Sequence, residues 1–225
     1  MVILFYPCYH FTMKLYLSSY GLGNRPEKLK ELVGKNKLAA IIVNAQDLAD
    51  DKKRLERLRL GIEEMTSLGF QSEELDLRDF FTKPDELASH LHKYGLLWIR
   101  GGNAFVLQRA MQQSSFDVSV QELVRSESLV YAGFSAGSCV ATTTLHGVEL
   151  VDDSVSVPDG YSSDIVWEGL NFVHYSIAPH YRSDHPESEA IENTVHYFKS
   201  HGMPYKTLHD GQAIVINGKN EEITN

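Results

Sequence analysis

Cysteine is scarce: the 225 residues hold two, Cys8 and Cys139. So few, at such spacing, build neither a disulfide framework nor a thiolate metal site. Long apolar runs are missing as well, and none approaches the roughly 20 residues needed to cross a bilayer. Basic residues number 21 against 30 acidic ones, a formal net charge of −9, and they are scattered. A nucleic-acid partner normally requires a clustered basic face, so that class is set aside, along with a membrane partner. An acidic surface still leaves room for a local basic pocket around an anionic substrate. The hydrophobic share of 43% and charged share of 23% are those of a globular protein. The length suits a single α/β domain with a sizeable core.

The stretch from Met1 to Thr12 is apolar and aromatic but lacks a basic n-region and a small-residue cleavage site. A cytoplasmic protein without a secretory signal is therefore expected. Met13-Lys14-Leu15-Tyr16-Leu17-Ser18-Ser19 reads as a natural start running straight into a strand. Residues 1–12 are accordingly expected to be an N-terminal extension, and 13–225 the domain proper.

Short apolar runs then alternate with longer amphipathic stretches, the pattern of βα units around a mostly parallel sheet. Strands are expected at Leu15–Ser18, Leu38–Val43, Glu73–Leu77, Leu96–Ile99 and Leu129–Ala132, and later at Val148–Val151, Phe172–Ile177, Tyr205–Leu208 and Ala213–Ile216. Helices are expected at Pro26–Val33, Asp47–Leu68, Lys83–Tyr94, Ala104–Gln112, Val118–Ser126 and Glu187–His201, with another opening at Ala136. The longest carries Leu55, Leu58, Ile62 and Met65 at helical spacing and stops at Gly69. No repeat or linker divides the chain.

Gly133-Phe134-Ser135-Ala136-Gly137 follows the strand Leu129–Ala132 and precedes Ser138-Cys139-Val140-Ala141, a segment suited to packing on the sheet. A Gly-x-Ser-x-Gly pattern means little by itself, but between a strand and a helix it marks a nucleophile turn. Small residues there permit a sharp, strained backbone that exposes the Ser135 hydroxyl. The amide of Ala136 then faces a developing oxyanion. The bland alternative is a plain tight connection, and Cys139, one turn on, reads as core.

Leu96-Leu97-Trp98-Ile99-Arg100-Gly101-Gly102-Asn103 is a strand running into a glycine pair at a helix start. Gly101 and Gly102 would supply the second oxyanion donor; the alternative is a turn with Asn103 as N-cap. A serine hydroxyl needs a base, usually histidine. Among ten histidines His180 is best placed, in the Ala178-Pro179-His180-Tyr181 loop at a strand's end, with His209 second. The orienting acid is open between Asp152 or Asp153 and Asp210, which sits before Gly211 in an ordinary turn sequence.

Taken together, Leu17-Ser18-Ser19, Ile99-Arg100-Gly101-Gly102-Asn103, Gly133 to Gly137 and Ile177-Ala178-Pro179-His180-Tyr181 resemble the peptidase E (aspartyl dipeptidase) family in order and spacing from about residue 13 onward. The resemblance implies a single-domain three-layer α/β sandwich with a mostly parallel sheet, of the class I glutamine amidotransferase-like (flavodoxin-like) kind, with Ser in place of those enzymes' Cys. It implies Ser135 as nucleophile, His180 as base, an oxyanion hole from Ala136 and Gly101 or Gly102, and no metal or cofactor. Asn103 and Arg182 become substrate-binding candidates. For the acid, one family assignment matches Asp210, in place of a Glu, and is preferred; another falls near Asp152 or Asp153. Members cleave dipeptides, typically those with N-terminal aspartate, using arginines after the histidine to clamp a carboxylate. Here Arg182 is the one arginine in that stretch, a departure that bears on which side chain is accepted.

The function expected is hydrolysis of dipeptides or short peptides by a monomer or homodimer. Two other classes compete: an α/β-hydrolase-type esterase, whose triad runs Ser, acid, His along the chain, and a non-catalytic amidotransferase-like binding protein.

Overall fold

A computed structural model describes residues 12–225, so all but one residue of the expected extension at 1–12 lies outside the described residues. Its strands are β1 (Met13–Ser18), β2 (Leu38–Ile42), β3 (Gln71–Glu74), β4 (Leu96–Ile99), β5 (Val130–Phe134), β6 (Ser176–Ala178), β7 (Tyr205–Thr207), β8 (Ala213–Gly218) and β9 (Asn220–Thr224). Seven of them form one sheet in the order β3-β2-β4-β5-β1-β8-β9, parallel from β3 to β1, with β8 and β9 antiparallel. The central strands are apolar at every position because alternate side chains enter different cores. Leu97 and Ile99 of β4 face one core with Leu15 and Leu17, while Leu96 and Trp98 face the other with Tyr16. The edge strands β3 and β9 carry Glu73, Glu74, Glu221 and Glu222, charges that discourage further strand pairing.

The helices α1 (Pro26–Leu32) and α2 (Asp51–Ser67) cover one face; α3 (Pro84–Leu91), α4 (Ala104–Gln113) and α5 (Phe116–Arg125) cover the other. This is the single-domain three-layer plan expected. Beyond it, α6 (Ala136–Cys139) follows β5, and α7 (Ser188–Ser200) packs on the small parallel sheet of β6 and β7 through Ile191, Val195 and Phe198.

Some expected elements differ. Val148–Val151 is no strand: Gly147, at φ 95°, opens a single 3-10 turn over Val148–Leu150. The strand expected from Phe172 begins only at Ser176, because the amides of Phe172 and Val173 bond to the carbonyl of Ala141 at 2.9 and 3.3 Å. β3 lies two residues earlier than expected, since Asp76 caps a 3-10 turn at Leu77–Phe80. The helix after Ser135 lasts one turn, and β9 was not foreseen.

Candidate active site

Four segments meet at the carboxyl edge of the parallel strands: the ends of β1, β4 and β5, and the loop after β6. At the end of β5, Ser135 sits at φ 50° and ψ −115°. Such a conformation costs on the order of 1–3 kcal/mol and persists only when its surroundings impose it. Here the Ser135 amide donates to the carbonyls of Ser18 and Ser19 at 3.3 and 3.1 Å, and its carbonyl accepts from Ser138 and Cys139, both at 2.9 Å. The glycines allow the turn to nest against β4. A Cβ on Gly137 would lie 2.4 Å from the Ile99 carbonyl oxygen, and one on Gly101 would lie 2.8 Å from the Phe134 ring. Among the described residues the amides of Gly101, Gly102 and Ala136 have no hydrogen-bond acceptor, whereas Arg100, Asn103 and Ala104 each have one.

The second half of the site is stitched by β6 and β7. The Leu208 amide donates to the Ala178 carbonyl and the Tyr181 amide to the Leu208 carbonyl, both at 3.0 Å, which holds the histidine loop against the turn carrying Asp210. His180 Nδ1 lies 2.7 Å from Asp210 Oδ1. Ser19 ties both to β1: its hydroxyl accepts from the His180 amide at 2.8 Å and donates to Asp210 Oδ1 at 2.7 Å. The Asp210 amide donates to Ser183 Oγ at 2.8 Å. His180 is 1% exposed, and burial pulls its pKa below the ordinary histidine value, with the Asp210 charge opposing. Ser183 and Glu187 carry no motif, while Ser19 belongs to the Leu17-Ser18-Ser19 segment at the carboxyl end of a central strand but was assigned no role there.

Ser135 and His180 open onto one cavity of about 440 Å³, walled by Tyr20, Arg57, Leu60, Glu64, Arg100, Gly101 and Gly102 among others. His185 stacks on His180 with ring centroids 3.7 Å apart, and Glu187 Oε2 lies 4.0 Å from His180 Nε2. A smaller apolar pocket lies beside Ser135, bounded by Ala136, Val148, Val151, Ile191 and Asp152.

Of the residues singled out in the sequence, the structure gathers Ser135, His180, Asp210, Gly101, Gly102 and Ala136. Asp152 stands apart from the imidazole's acid partner. Its Oδ2 accepts from the Ala104 amide at 2.7 Å, and burial pushes its pKa up to about 7. Asp153 is exposed and accepts from the Val155 amide at 2.8 Å. Asn103 caps α4, with Oδ1 on the Val106 amide at 2.9 Å and Nδ2 on the Asp153 carbonyl at 2.7 Å. Arg182 is exposed and pairs with Glu192 at 2.9 Å, and His209 is exposed. Buried Cys139 is a free thiol.

His180, His185 and Glu187 each offer one ligand atom, all within 4.8 Å of one another. Tetrahedral zinc with Zn–N near 2.0–2.1 Å sets donors about 3.4 Å apart. The observed 3.9 and 4.0 Å to Glu187 are looser, and His185 Nδ1 already accepts the Glu187 amide at 3.2 Å. The donor set does not fit a formed metal centre.

The family model for peptidase family S51 matches residues 20–224. The chain belongs to peptidase family S51. It is similar to the probable alpha-aspartyl dipeptidase of Drosophila melanogaster, 31% identical over 143 residues, and that match spans 61% of this chain and 56% of the relative. The chain thus covers little more than half the length of that protein. A peptidase of Listeria monocytogenes is 26% identical over 159 residues, 71% of this chain and 73% of that one. The fold recurs in solved structures. The crystal structure of a Listeria monocytogenes protein described as a peptidase E superposes with a TM-score of 0.76 at 22% identity, covering 95% of this chain and 98% of that one. A peptidase from an acI-B1 actinobacterium gives a TM-score of 0.70 at 18% identity, covering 96% and 88%. No helix among the described residues is long and apolar enough to cross a membrane.

Proposed function

We propose that this S51 chain is a serine dipeptidase in which Ser135 is the nucleophile, His180 the base and Asp210 the orienting acid. The observation that carries the reading is the 2.7 Å contact between His180 Nδ1 and Asp210 Oδ1, with His180 and the strained Ser135 lining one cavity. Asp210 fixes the tautomer with the proton on Nδ1, leaving Nε2 free to accept. His180 takes the Ser135 proton as Oγ attacks the scissile carbonyl. The resulting oxyanion meets the amides of Ala136 and of Gly101 or Gly102, which have no other acceptor among the described residues. His180 then protonates the leaving amine, and water attacks the acyl-serine with His180 again as base. The dipeptidase name carried by the Drosophila melanogaster relative supports the substrate class. The buried free Cys139 suits a reducing, cytoplasmic setting.

The test is labelling with a fluorophosphonate together with turnover of a dipeptide panel. Wild type is expected to label and hydrolyse, and Ser135→Ala to do neither, with turnover down by about 10⁴-fold or more. Hydrolysis that survives in Ser135→Ala would remove the serine from the mechanism.

A further inference from the structure

Two arginines line the cavity, and one of them is compensated. Arg100, 5% exposed, is clasped by Glu64, which also accepts from Trp98 Nε1 at 2.8 Å, and its guanidinium lies over the Phe134 ring. Glu187 sits beside the stacked imidazoles. Arg57 is different. It projects from α2 on the same face as Leu60 and Glu64, is half-buried, and lines the cavity that holds Ser135 and His180. Among the described residues it has neither an ion pair nor a hydrogen bond, whereas the neighbouring Arg54 is bound by Asp47, Glu74 and Asp76. A guanidinium drawn partly out of water without a counter-ion contributes nothing to the fold; its five donors suit a carboxylate, bound in a fork.

The placement is also rigid. A Cβ on Gly61, one turn beyond Arg57, would lie 2.8 Å from Ile41 and 2.9 Å from Arg100 Cδ. That lack of space locks α2 against the strand end that leads into Gly101 and Gly102. The backbone of Arg57 therefore stands at a fixed place relative to the amides proposed for the oxyanion. The stretch after the histidine offers no such cation, since Arg182 is exposed and spent on Glu192.

We propose that Arg57 receives a carboxylate of the substrate, an inference that rests on the dipeptidase reading. A dipeptide brings such a group at its C-terminus, and one with an acidic first residue brings a second. The experiment measures kcat and KM for wild type, Arg57→Gln, Arg57→Lys and Arg182→Gln on matched pairs: a dipeptide against its C-terminal amide, and Asp-X against Asn-X. A charge-assisted hydrogen-bonded contact of about 1.5–3 kcal/mol corresponds to roughly a 10- to 100-fold change. Arg57→Gln is expected to raise KM by that factor for the carboxylate-bearing member of one pair, with kcat changed by less than about threefold, and Arg57→Lys to recover part of the loss. If the gap between acid and amide closes, the C-terminal carboxylate is the ligand; if the gap between Asp-X and Asn-X closes, it is the side chain. The proposal is overturned if Arg57→Gln leaves every KM within twofold of wild type, or if Arg182→Gln closes a gap instead. Fluorophosphonate labelling separates the two levels of failure. A wild type that labels and hydrolyses beside an inert Arg57 variant sinks this inference alone, while a wild type that does neither sinks the dipeptidase reading with it.

Discussion

The imidazole of His180 is under two opposed influences, and their balance sets when the site works. Burial disfavours the charged ring and is the largest; Asp210, in contact with Nδ1, favours it; the net direction is downward. A base acts in its neutral form, so activity rises with pH through the His180 pKa. The acid limb of kcat/KM is therefore expected below pH 6.5, the ordinary histidine value. Asp210→Asn removes the favouring charge and loosens the tautomer. The midpoint should move still lower, and turnover should fall by about 10²–10⁴-fold. A pH–rate profile of both proteins checks this, and an Asp210→Asn enzyme with wild-type turnover would remove Asp210 from the site. The same contact shows what the sequence could convey. Asp210 and His180 are 30 residues apart, and Asp-Gly also spells an ordinary turn. What joins them is the Ser19 hydroxyl and the ladder between β6 and β7, pairings across the chain that no local stretch spells out.

At the scale of elements, the turn over Val148–Leu150 has a task that a strand could not perform. It brings Asp152 behind the first turn of α4, where its carboxylate satisfies the Ala104 amide while the Asp153 carbonyl holds Asn103. The glycine pair is thus braced from its far side, and Asp152 is a positioning residue for it. Asp152→Asn keeps an acceptor of the same shape and is expected to retain activity within about tenfold. Asp152→Ala leaves a buried amide unpaired, costing about 1–3 kcal/mol and slowing acylation. The sign with pH also follows. A carboxyl whose pKa rises from 3.8 to about 7 on folding holds its proton in the native state, so stability falls as pH rises from about 4 to about 7. In thermal melts across that range, the stability of wild type relative to Asp152→Asn should fall as pH rises; a difference that stays flat from pH 4 to 7 would contradict the buried carboxyl. Val148-Glu149-Leu150-Val151 reads as a strand because so short an apolar run cannot distinguish a ladder from a turn that buries Val148 and leaves Leu150 exposed. By contrast, the strands β1, β4 and β5 and their small-residue turns were legible, since apolar runs ending in glycine are dictated by the close approach of β4 and β5.

The whole molecule decides both the chemistry available and the size of what can enter. Along the chain the proposed triad runs Ser135, His180, Asp210, with the acid last, whereas α/β-hydrolase esterases place it between serine and histidine. That order follows from topology: β8 runs antiparallel to β1 with Ala213 opposite Ser18, which brings the preceding turn, and Asp210 with it, beside Ser19. The walls come from parts of the chain far apart in sequence, so the place proposed for a charged ligand at Arg57 is invisible on a helix legible only through the spacing of Leu55, Leu58, Ile62 and Met65. The cavity of about 440 Å³ lies in the lower part of the small-molecule range. On the other side of Ser135 the space narrows to the pocket closed by Val148, Val151 and Ile191. A long polypeptide needs room on both sides of its scissile bond, and the pocket beside Ser135 offers about 20 Å³. Across a series of two to five residues of one amino acid, kcat/KM is expected to drop by at least about tenfold from dipeptide to tetrapeptide, with unfolded protein left intact. Chromatography of the products measures this. Equal rates along the series would mean that the walls at Arg57, Val148 and Ile191 do not limit the substrate.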